Sequence, residues 1–276
     1  VSNVILIRHH RYMVTIIAAA LIAILGTQLL EIMNIVPIAN TSYRDGQFDW
    51  LGVIYGGLLF GIGATLAGGD AARTVVRAGE GNVIGIVALI VFMFCGYMAQ
   101  YGWLETPRLW VTEQTAITLV AGDAGLAPLL GISKWLPMSV ICSVLLLYLL
   151  LVWKEHGDIK LLLAGVLLGS VVVPAWYLSG VVTFDEFAPD TKPASLTVVG
   201  ALSRIGSMLL LKGTPAASIP IFFVVGLFVS SLLYSLLTRS WDTTPLHANR
   251  WLPVVIGAAL MGIGGTVSYG CNIGQG

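Results

Sequence analysis

The chain has 276 residues, of which 57% are hydrophobic and only 10% are charged, and its formal net charge at pH 7 is zero. Soluble domains carry about 25% charged residues, which form the coat that faces water. The composition therefore excludes an ordinary water-soluble domain, gives no support for a nucleic-acid-binding protein, and predicts a polytopic protein of the lipid bilayer.

Apolar segments predict the membrane elements in chain order. A helix that crosses a bilayer needs about 20 apolar residues. Clear segments cover roughly residues 13–33, 51–67, 83–103, 135–153, 161–178, 219–237 and 251–267. The second and the last are short and rich in glycine, which favours half-spanning or kinked elements. Two weaker segments predict short helices or re-entrant loops: 116–132, which contains Asp123, and 196–211, which contains Arg204.

The 32 glycines and 11 prolines are more than plain spanning helices need. They fit broken or re-entrant elements that protein shields from lipid. We therefore predict an all-α fold, a polytopic membrane helix bundle with an internal repeat and short re-entrant or half-spanning segments. One transmembrane domain covers residues 1–276. The chain starts at Val1 and stops at Gly276 inside a motif, so we expect it to be incomplete at one or both ends.

Two segments of the chain resemble each other at a constant offset of 201 residues. WLGVIYGGLLFGIGATLAGGD (50–70) and WLPVVIGAALMGIGGTVSYGC (251–271) are identical at ten of 21 positions without a gap. The matches include glycines, a threonine and a tryptophan, which apolar composition alone does not explain. Transporters are often built from such repeats, and their substrate site lies where the repeats meet. We predict duplicated elements at 50–82 and 251–276.

A polar residue follows the glycine turn of each repeat, Asp70 in the first and Cys271 in the second. A turn at the end of a helix exposes backbone N–H groups, which attract anions. The thiol of Cys271 is a weak hydrogen-bond donor and a soft contact for another sulfur atom. Cys95 and Cys142 lie in apolar helices and are interpreted as small hydrophobic residues.

Asp70 allows three interpretations. It lies at the membrane interface and pairs with Arg73 or Arg77, or it is protonated and donates a hydrogen bond to an anion, or it stays charged and serves a cation or proton pathway. A carboxylate within the membrane is costly and marks a functional site by default.

A charged group follows Asp70. Arg73, Arg77 and Glu80 recur at i, i+4 and i+7 and share one helical face. They either attract an anion to a vestibule or cap a surface helix. The remaining candidate substrate-binding residues flank the two polar positions: Gly69, Gly270, Asn272 and Gln275.

The two motifs, GGLLFGIGATLAGGD…R…EGN and GAALMGIGGTVSYGCNIGQG, resemble the signature motifs of the YeeE/YedE family of sulfur transporters. The resemblance implies a multi-pass protein of the bacterial inner membrane, shaped like an hourglass, with a thin central barrier built from the repeat loops. It implies that thiosulfate passes through this constriction by contacts with cysteine thiols. It also implies a TusA-like cytoplasmic sulfurtransferase as a partner that accepts the sulfur.

Cys271 matches the cysteine of the second family motif, whereas Asp70 stands where the first motif has a cysteine. A further family cysteine near the N terminus has no match. We therefore hypothesise that Asp70 is protonated when the substrate passes, or that this chain carries another sulfur species. No phosphate-binding motif and no metal-ligand spacing is visible, so we expect neither cofactor nor metal.

Three alternatives to a sulfur-anion permease stay open. One is a transporter or channel for another ion that uses Asp70. Another is a membrane enzyme with Cys271 as its nucleophile, which the absence of a histidine near either motif disfavours because such a nucleophile needs a base or a lowered pKa. The third is a membrane subunit that does not transport.

Overall fold

The computed structural model describes residues 13–36, 41, 45–123, 131–133, 135–156, 158–182, 196–211, 218–241 and 251–270. Ten α-helices and two strands lie in these ranges. In chain order they are α1 (Met13–Ile32), β1 (Asp45–Phe48), α2 (Trp50–Ala67), α3 (Ala71–Gly79), α4 (Val83–Tyr101), α5 (Glu105–Thr115), β2 (Ile117–Asp123), α6 (Trp135–His156), α7 (Ile159–Tyr177) with a π-helical extension (Leu178–Val182), α8 (Val199–Leu211), α9 (Ile219–Thr238) and α10 (Trp251–Val267).

Every clear apolar segment of the sequence is a helix, and the predicted all-α membrane bundle is confirmed. The described residues contain six helical segments that are long and apolar enough to cross a membrane. The weaker segment at 196–211 forms the short helix α8, as predicted. The prediction for 116–132 was wrong, because its first half is β2, which pairs with β1. The run ITLV contains three β-branched residues, which favour extended backbone over helix.

The chain divides into two compact units, one of residues 1–47, 118–195 and 276, the other of residues 48–117 and 196–275. The single domain expected from the sequence stays a prediction. In the first unit α1 packs along α7, where glycines allow close approach. A methyl group at Gly165 would lie 2.5 Å from the carbonyl oxygen of Thr15, and one at Gly169 would clash with the carbonyl oxygen of Ala19.

The second unit contains both repeat helices and the larger core. Its buried centre joins side chains from α2, α4, α8 and α10, and the largest of them are Phe60, Phe92, Leu202 and Met261. The short helix α3 packs on α4 and α9. This core holds the ends of both repeat helices in fixed positions.

The repeat helices α2 and α10 pack antiparallel along a seam of glycines. Gly63 faces Gly257, and Gly56 faces Gly264. Since Gly257 and Gly264 are the repeat equivalents of Gly56 and Gly63, exchanging the two helices reproduces the same contacts. The pair therefore has an approximate two-fold axis, which is the arrangement of inverted-topology repeats.

A buried carboxylate fixes the start of α2. Asp49 caps the helix by accepting a hydrogen bond from the backbone N–H of Gly52 at 2.8 Å. It also accepts hydrogen bonds from the hydroxyl groups of Thr112 at 2.7 Å and Thr115 at 3.3 Å. The residue is only 4% exposed, and these three donors satisfy its side-chain oxygens. Asp49 thus attaches α5 to the first repeat helix.

Candidate functional site

The first repeat helix ends in a left-handed turn. Gly68 has a φ of 79°, which glycine adopts without the steric cost of a side chain. Its N–H bonds to the carbonyl oxygen of Ala64, and the N–H of Gly69 bonds to the same oxygen at 2.9 Å. The helix is therefore closed by its own backbone, and the chain turns sharply into α3.

The second repeat helix ends in the same way. Tyr269, the equivalent of Gly68, has a φ of 62°, and the N–H of Gly270 bonds to the carbonyl oxygen of Gly265 at 2.8 Å. Gly265 is the repeat equivalent of Ala64. The two turns thus share the left-handed residue and the hydrogen bond made by the glycine after it, although Gly270 has a φ of 146° and Gly69 has no positive φ.

The two turns lie at opposite ends of the α2–α10 pair. Ala67, the last residue of α2, lies against Gly257 near the start of α10, and Ser268, just beyond α10, lies against Gly56 near the start of α2. Gly69 and Asp70 are therefore separated from Gly270 by roughly the length of the pair, about 25 Å at 1.5 Å per residue. The described residues of the two turns do not form one common site.

Asp70 caps the N terminus of α3. One carboxylate oxygen accepts a hydrogen bond from the backbone N–H of Arg73 at 2.9 Å, and its carbonyl oxygen accepts one from the Thr74 hydroxyl at 2.8 Å. No ion pair joins Asp70 to Arg73 or Arg77, both of which the structure describes, so the interfacial pairing expected as one alternative is not formed. The side chain therefore has a structural role as the cap of α3.

Replacement of Asp70 by alanine is expected to lower the free energy of unfolding by about 1 kcal/mol, because the cap of α3 is lost. The variant Asp70→Asn keeps a side-chain oxygen that accepts the N–H of Arg73, so it is expected to unfold near the wild-type temperature. Thermal unfolding of the purified proteins in detergent distinguishes the two. Equal destabilisation by both substitutions would show that the charge of Asp70, and not its cap, matters.

The two arginines of α3 cover the glycine turn. The aliphatic stem of Arg73 lies over Gly69, where a methyl group would be 2.8 Å from the Arg73 Cδ atom. One terminal nitrogen of Arg77 donates to the carbonyl oxygen of Gly68 at 3.5 Å, a long hydrogen bond. Arg73 is exposed, whereas Arg77 and Glu80 are half-buried. Of the three residues expected to share a face, Arg73 and Arg77 therefore contact the first turn, whereas Glu80 lies at the other end of α3 as its C-cap.

A cavity of about 310 Å³ opens beside this turn. This volume lies at the lower end of the range for small-molecule sites. Its walls come from the end of α2, from α3 and the start of α4, and from the start of α10; they include Thr65, Gly68, Arg77, Ile84, Pro253 and Val254. Arg77 is the one charged residue in this lining, and in the described part of the chain its guanidinium has no carboxylate partner. An apolar cavity with one uncompensated cation is suited to a small anion.

Two serines of α9 hold α3 in place, and the sequence analysis missed them. Ser231 donates to the carbonyl oxygen of Val76 at 2.7 Å, and Ser235 donates to that of Glu80 at 3.4 Å. Gly79 lets the helices approach, since a methyl group there would lie 2.7 Å from the Phe228 carbonyl oxygen. The signal was the spacing of two small polar residues four positions apart in an apolar helix. The contribution of Pro253 and Val254 to the cavity was also missed.

The predicted residues of the second motif beyond Gly270 lie outside the described residues: Cys271, Asn272 and Gln275. Gly270 itself is buried. Cys95 and Cys142 are half-buried free cysteines in α4 and α6. Cys95 packs against α10, where a methyl group at Gly262 would lie 3.2 Å from the Cys95 Cβ atom. This contact agrees with the interpretation of Cys95 as a packing residue.

Comparison with known proteins identifies the family. The family model described as sulphur transport matches residues 1–276. A thiosulfate transporter TsuA from Escherichia coli is 26% identical over 280 residues, which cover 93% of this chain and 75% of that protein. A thiosulfate transporter TsuA from Spirochaeta thermophila is 25% identical over 277 residues, which cover 91% of this chain and 76% of that protein. With two glycine-ended repeat helices in a multi-pass membrane bundle, the chain belongs to the sulphur transport family.

Proposed function

We propose that this protein is a permease for a sulfur-containing anion, most specifically thiosulfate, in the bacterial inner membrane. The observation that carries the proposal is the cavity at the end of the first repeat helix, lined by Arg77. Family membership over the whole chain supplies the transport class. Both relatives described above carry thiosulfate in their names.

Arg77 is proposed to select the charge of the substrate. A guanidinium has five N–H donors in a planar fork, and in Arg77 the described protein engages one of them through a long hydrogen bond to Gly68. The other donors are suited to the oxygens of an oxyanion. Apolar neighbours such as Ile84 and Val254 lower the local dielectric constant, which strengthens the attraction between the guanidinium and an anion.

The second motif is proposed to supply the next contact along the pathway. The Cys271 thiol would meet the terminal sulfur of thiosulfate, and the side chains of Asn272 and Gln275 would donate to its oxygens. Because Gly270 has no side chain, the anion could approach the backbone at this position. In this arrangement the anion passes a central constriction between contacts at the two ends of the repeat pair. The protein carries the anion and performs no covalent chemistry on it, and a TusA-like sulfurtransferase receives the sulfur in the cytoplasm.

The experiment is growth on thiosulfate as the sole sulfur source. Cells that lack their own sulfate and thiosulfate importers are complemented with the full-length parent protein or with its Cys271→Ala variant, and both are checked for membrane abundance. We expect growth with the parent and strongly reduced growth with Cys271→Ala. A second control, Cys142→Ala, removes a half-buried thiol of α6 and is expected to grow like the parent.

Uptake competition tests the substrate class. Unlabelled thiosulfate or sulfite is expected to compete with labelled thiosulfate, whereas chloride at equal concentration is not. Asp70→Cys restores the thiol of the family motif and is expected to change the preference among sulfur anions. Unchanged uptake and preference in Asp70→Cys would exclude a role of Asp70 in substrate passage and leave it as the cap of α3.

A further inference from the structure

The short helix α8 carries a charge that the proposed pathway has not used. Arg204 lies in the sequence VGALSRIGSMLLL, in which it is the one ionisable residue. Its side chain is exposed. In the part of the chain that the structure describes, its guanidinium has neither an ion pair nor a hydrogen-bond partner. An ionisable residue in an apolar membrane helix is costly and marks a functional site by default.

The depth of Arg204 follows from the packing of α8 on α4. Ser203 lies against Gly96, and Gly206 lies against the Met93 carbonyl oxygen, so the two helices run antiparallel. Arg204 is therefore level with residues 93–96 of α4, a helix long and apolar enough to span a membrane. This level is about 7–12 Å inside the C-terminal end of α4 at 1.5 Å per residue.

The side of α8 that carries Arg204 is exposed at Arg204 and partly exposed at Gly200 and Ser207. Gly200, Arg204 and Ser207 recur at i, i+4 and i+7 and lie on one side of α8. Other sides of the first half of α8 are buried, with Val199, Leu202 and Ser203 at 2% exposure or less. Among the described residues, a methyl group at Gly200 would meet only Thr197 within 4 Å, so no other described residue occupies the space beside this glycine. A short apolar helix that faces lipid alone would not carry an arginine on this side.

The start of α8 also lies close to the second repeat turn. The side chain of Val199 is 2.9 Å from where a methyl group at Gly265 would be, and Gly265 accepts the hydrogen bond that ends α10. Arg204 follows Val199 by five residues, about 7.5 Å along the helix axis. The helix α8 thus contacts the second repeat through Val199 and carries, on another of its sides, an arginine without a carboxylate partner, as α3 carries Arg77 beside the first repeat.

We propose that Arg204, with the partly exposed face at Gly200 and Ser207, is a second binding site for the transported oxyanion, on the side of the second repeat. The inference rests on the proposed function. A guanidinium binds an oxyanion through two parallel N–H···O contacts, which suits thiosulfate or sulfate. A lipid phosphate offers the same chemistry, because the long stem of an arginine can reach the headgroups. The experiment must therefore separate the two sources of oxyanion.

The test measures initial rates of labelled thiosulfate uptake into proteoliposomes against thiosulfate concentration. Arg204→Gln is expected to raise KM about tenfold or more. Arg204→Lys keeps the positive charge but loses the planar guanidinium, and it is expected to raise KM by a smaller factor. The matched control is Arg239→Gln, which removes an exposed arginine just beyond α9 in the same unit and is expected to leave KM unchanged. Gly200→Leu fills the space beside this glycine without changing the charge and is expected to raise KM as well.

Each result decides one point. If the wild type takes up thiosulfate and Arg204→Gln has the same KM, the second site is excluded while the proposed function stands. If the KM effect occurs only in vesicles with phosphatidylglycerol and vanishes in pure phosphatidylcholine, Arg204 binds lipid and the inference is overturned. If the wild type takes up no sulfur anion at all, the proposed function fails first. Should Arg204→Gln not fold, the KM of Gly200→Leu decides the question.

Discussion

Replacing Arg77 by glutamine is expected to raise the concentration of thiosulfate needed for half-maximal uptake by roughly ten- to hundredfold. Loss of a charge-assisted hydrogen bond costs about 1.5–3 kcal/mol, and every 1.4 kcal/mol is a factor of ten in affinity. Arg77 lines the cavity beside the first repeat turn. The measurement is initial uptake by proteoliposomes over a range of thiosulfate concentrations.

Arg73→Gln is the comparison for this prediction, because it removes the same charge from the same helix. The stem of Arg73 covers Gly69, and Arg73 is not part of the cavity wall. We expect its effect to be several times smaller than that of Arg77→Gln. Equal effects would mean that the arginines act through the general potential of the surface, and no effect of Arg77→Gln would show that the cavity is not on the pathway.

The second large effect is expected at the glycine seam. A methyl group at Gly63 would lie 2.6 Å from the Gly257 carbonyl oxygen and 2.7 Å from the Met261 nitrogen. Both neighbours are backbone atoms of a packed helix, so they cannot move aside cheaply. Gly63→Ala is therefore expected to lower the free energy of unfolding by about 1–3 kcal/mol. Thermal unfolding in detergent and the abundance of the protein in the membrane both report this loss.

Gly61→Ala is the matched control, because a methyl group at this position of the same helix meets nothing within 4 Å. It is expected to be neutral or to stabilise by up to about 1 kcal/mol through helix propensity. The two-fold relation adds a second check. A methyl group at Gly264, the equivalent of Gly63, would lie 2.6 Å from the Gly56 carbonyl oxygen, so Gly264→Ala is expected to match Gly63→Ala. A harmless Gly63→Ala would contradict the close packing of α2 on α10.

The approximate two-fold relation changes how the candidate site is understood. Alignment of the two repeats makes Asp70 and Cys271 equivalent positions, which suggested a single constriction lined by both motifs. In an antiparallel pair, equivalent positions lie at opposite ends. The first turn gains its cavity from the start of α10, where Pro253 and Val254 lie. The second repeat helix therefore completes the surroundings of the first turn, and on the proposed pathway an anion would meet the two turns in succession.

For Asp70, the sequence predicted the local backbone but not the role of the side chain. Its place after two glycines correctly marked the end of a helix and a turn. The sequence did not decide between an ion pair, a proton donor and a cation site, because all three depend on which groups lie nearby in space. The structure adds another role, since the carboxylate accepts the N–H of Arg73 and caps α3. An N-cap needs an acceptor side chain three residues before its donor, and the spacing from Asp70 to Arg73 was visible in the sequence.

Composition and local pattern alone determined the membrane class, nearly all of the helices and the glycine turn, because each of these depends on residues close together along the chain. The repeat was also visible in the sequence, because its two copies keep the same residues at a constant offset. Tertiary structure decided the rest. Equal spacing of Gly56 and Gly63 with Gly257 and Gly264 permits either a parallel or an antiparallel seam, and only backbone packing selects the antiparallel one. The strand Ile117–Asp123 formed because β1 was there to pair with it. The surroundings of Arg77 and Arg204 depend on which helices, distant in sequence, pack beside them. The sequence pattern alone does not show these contacts.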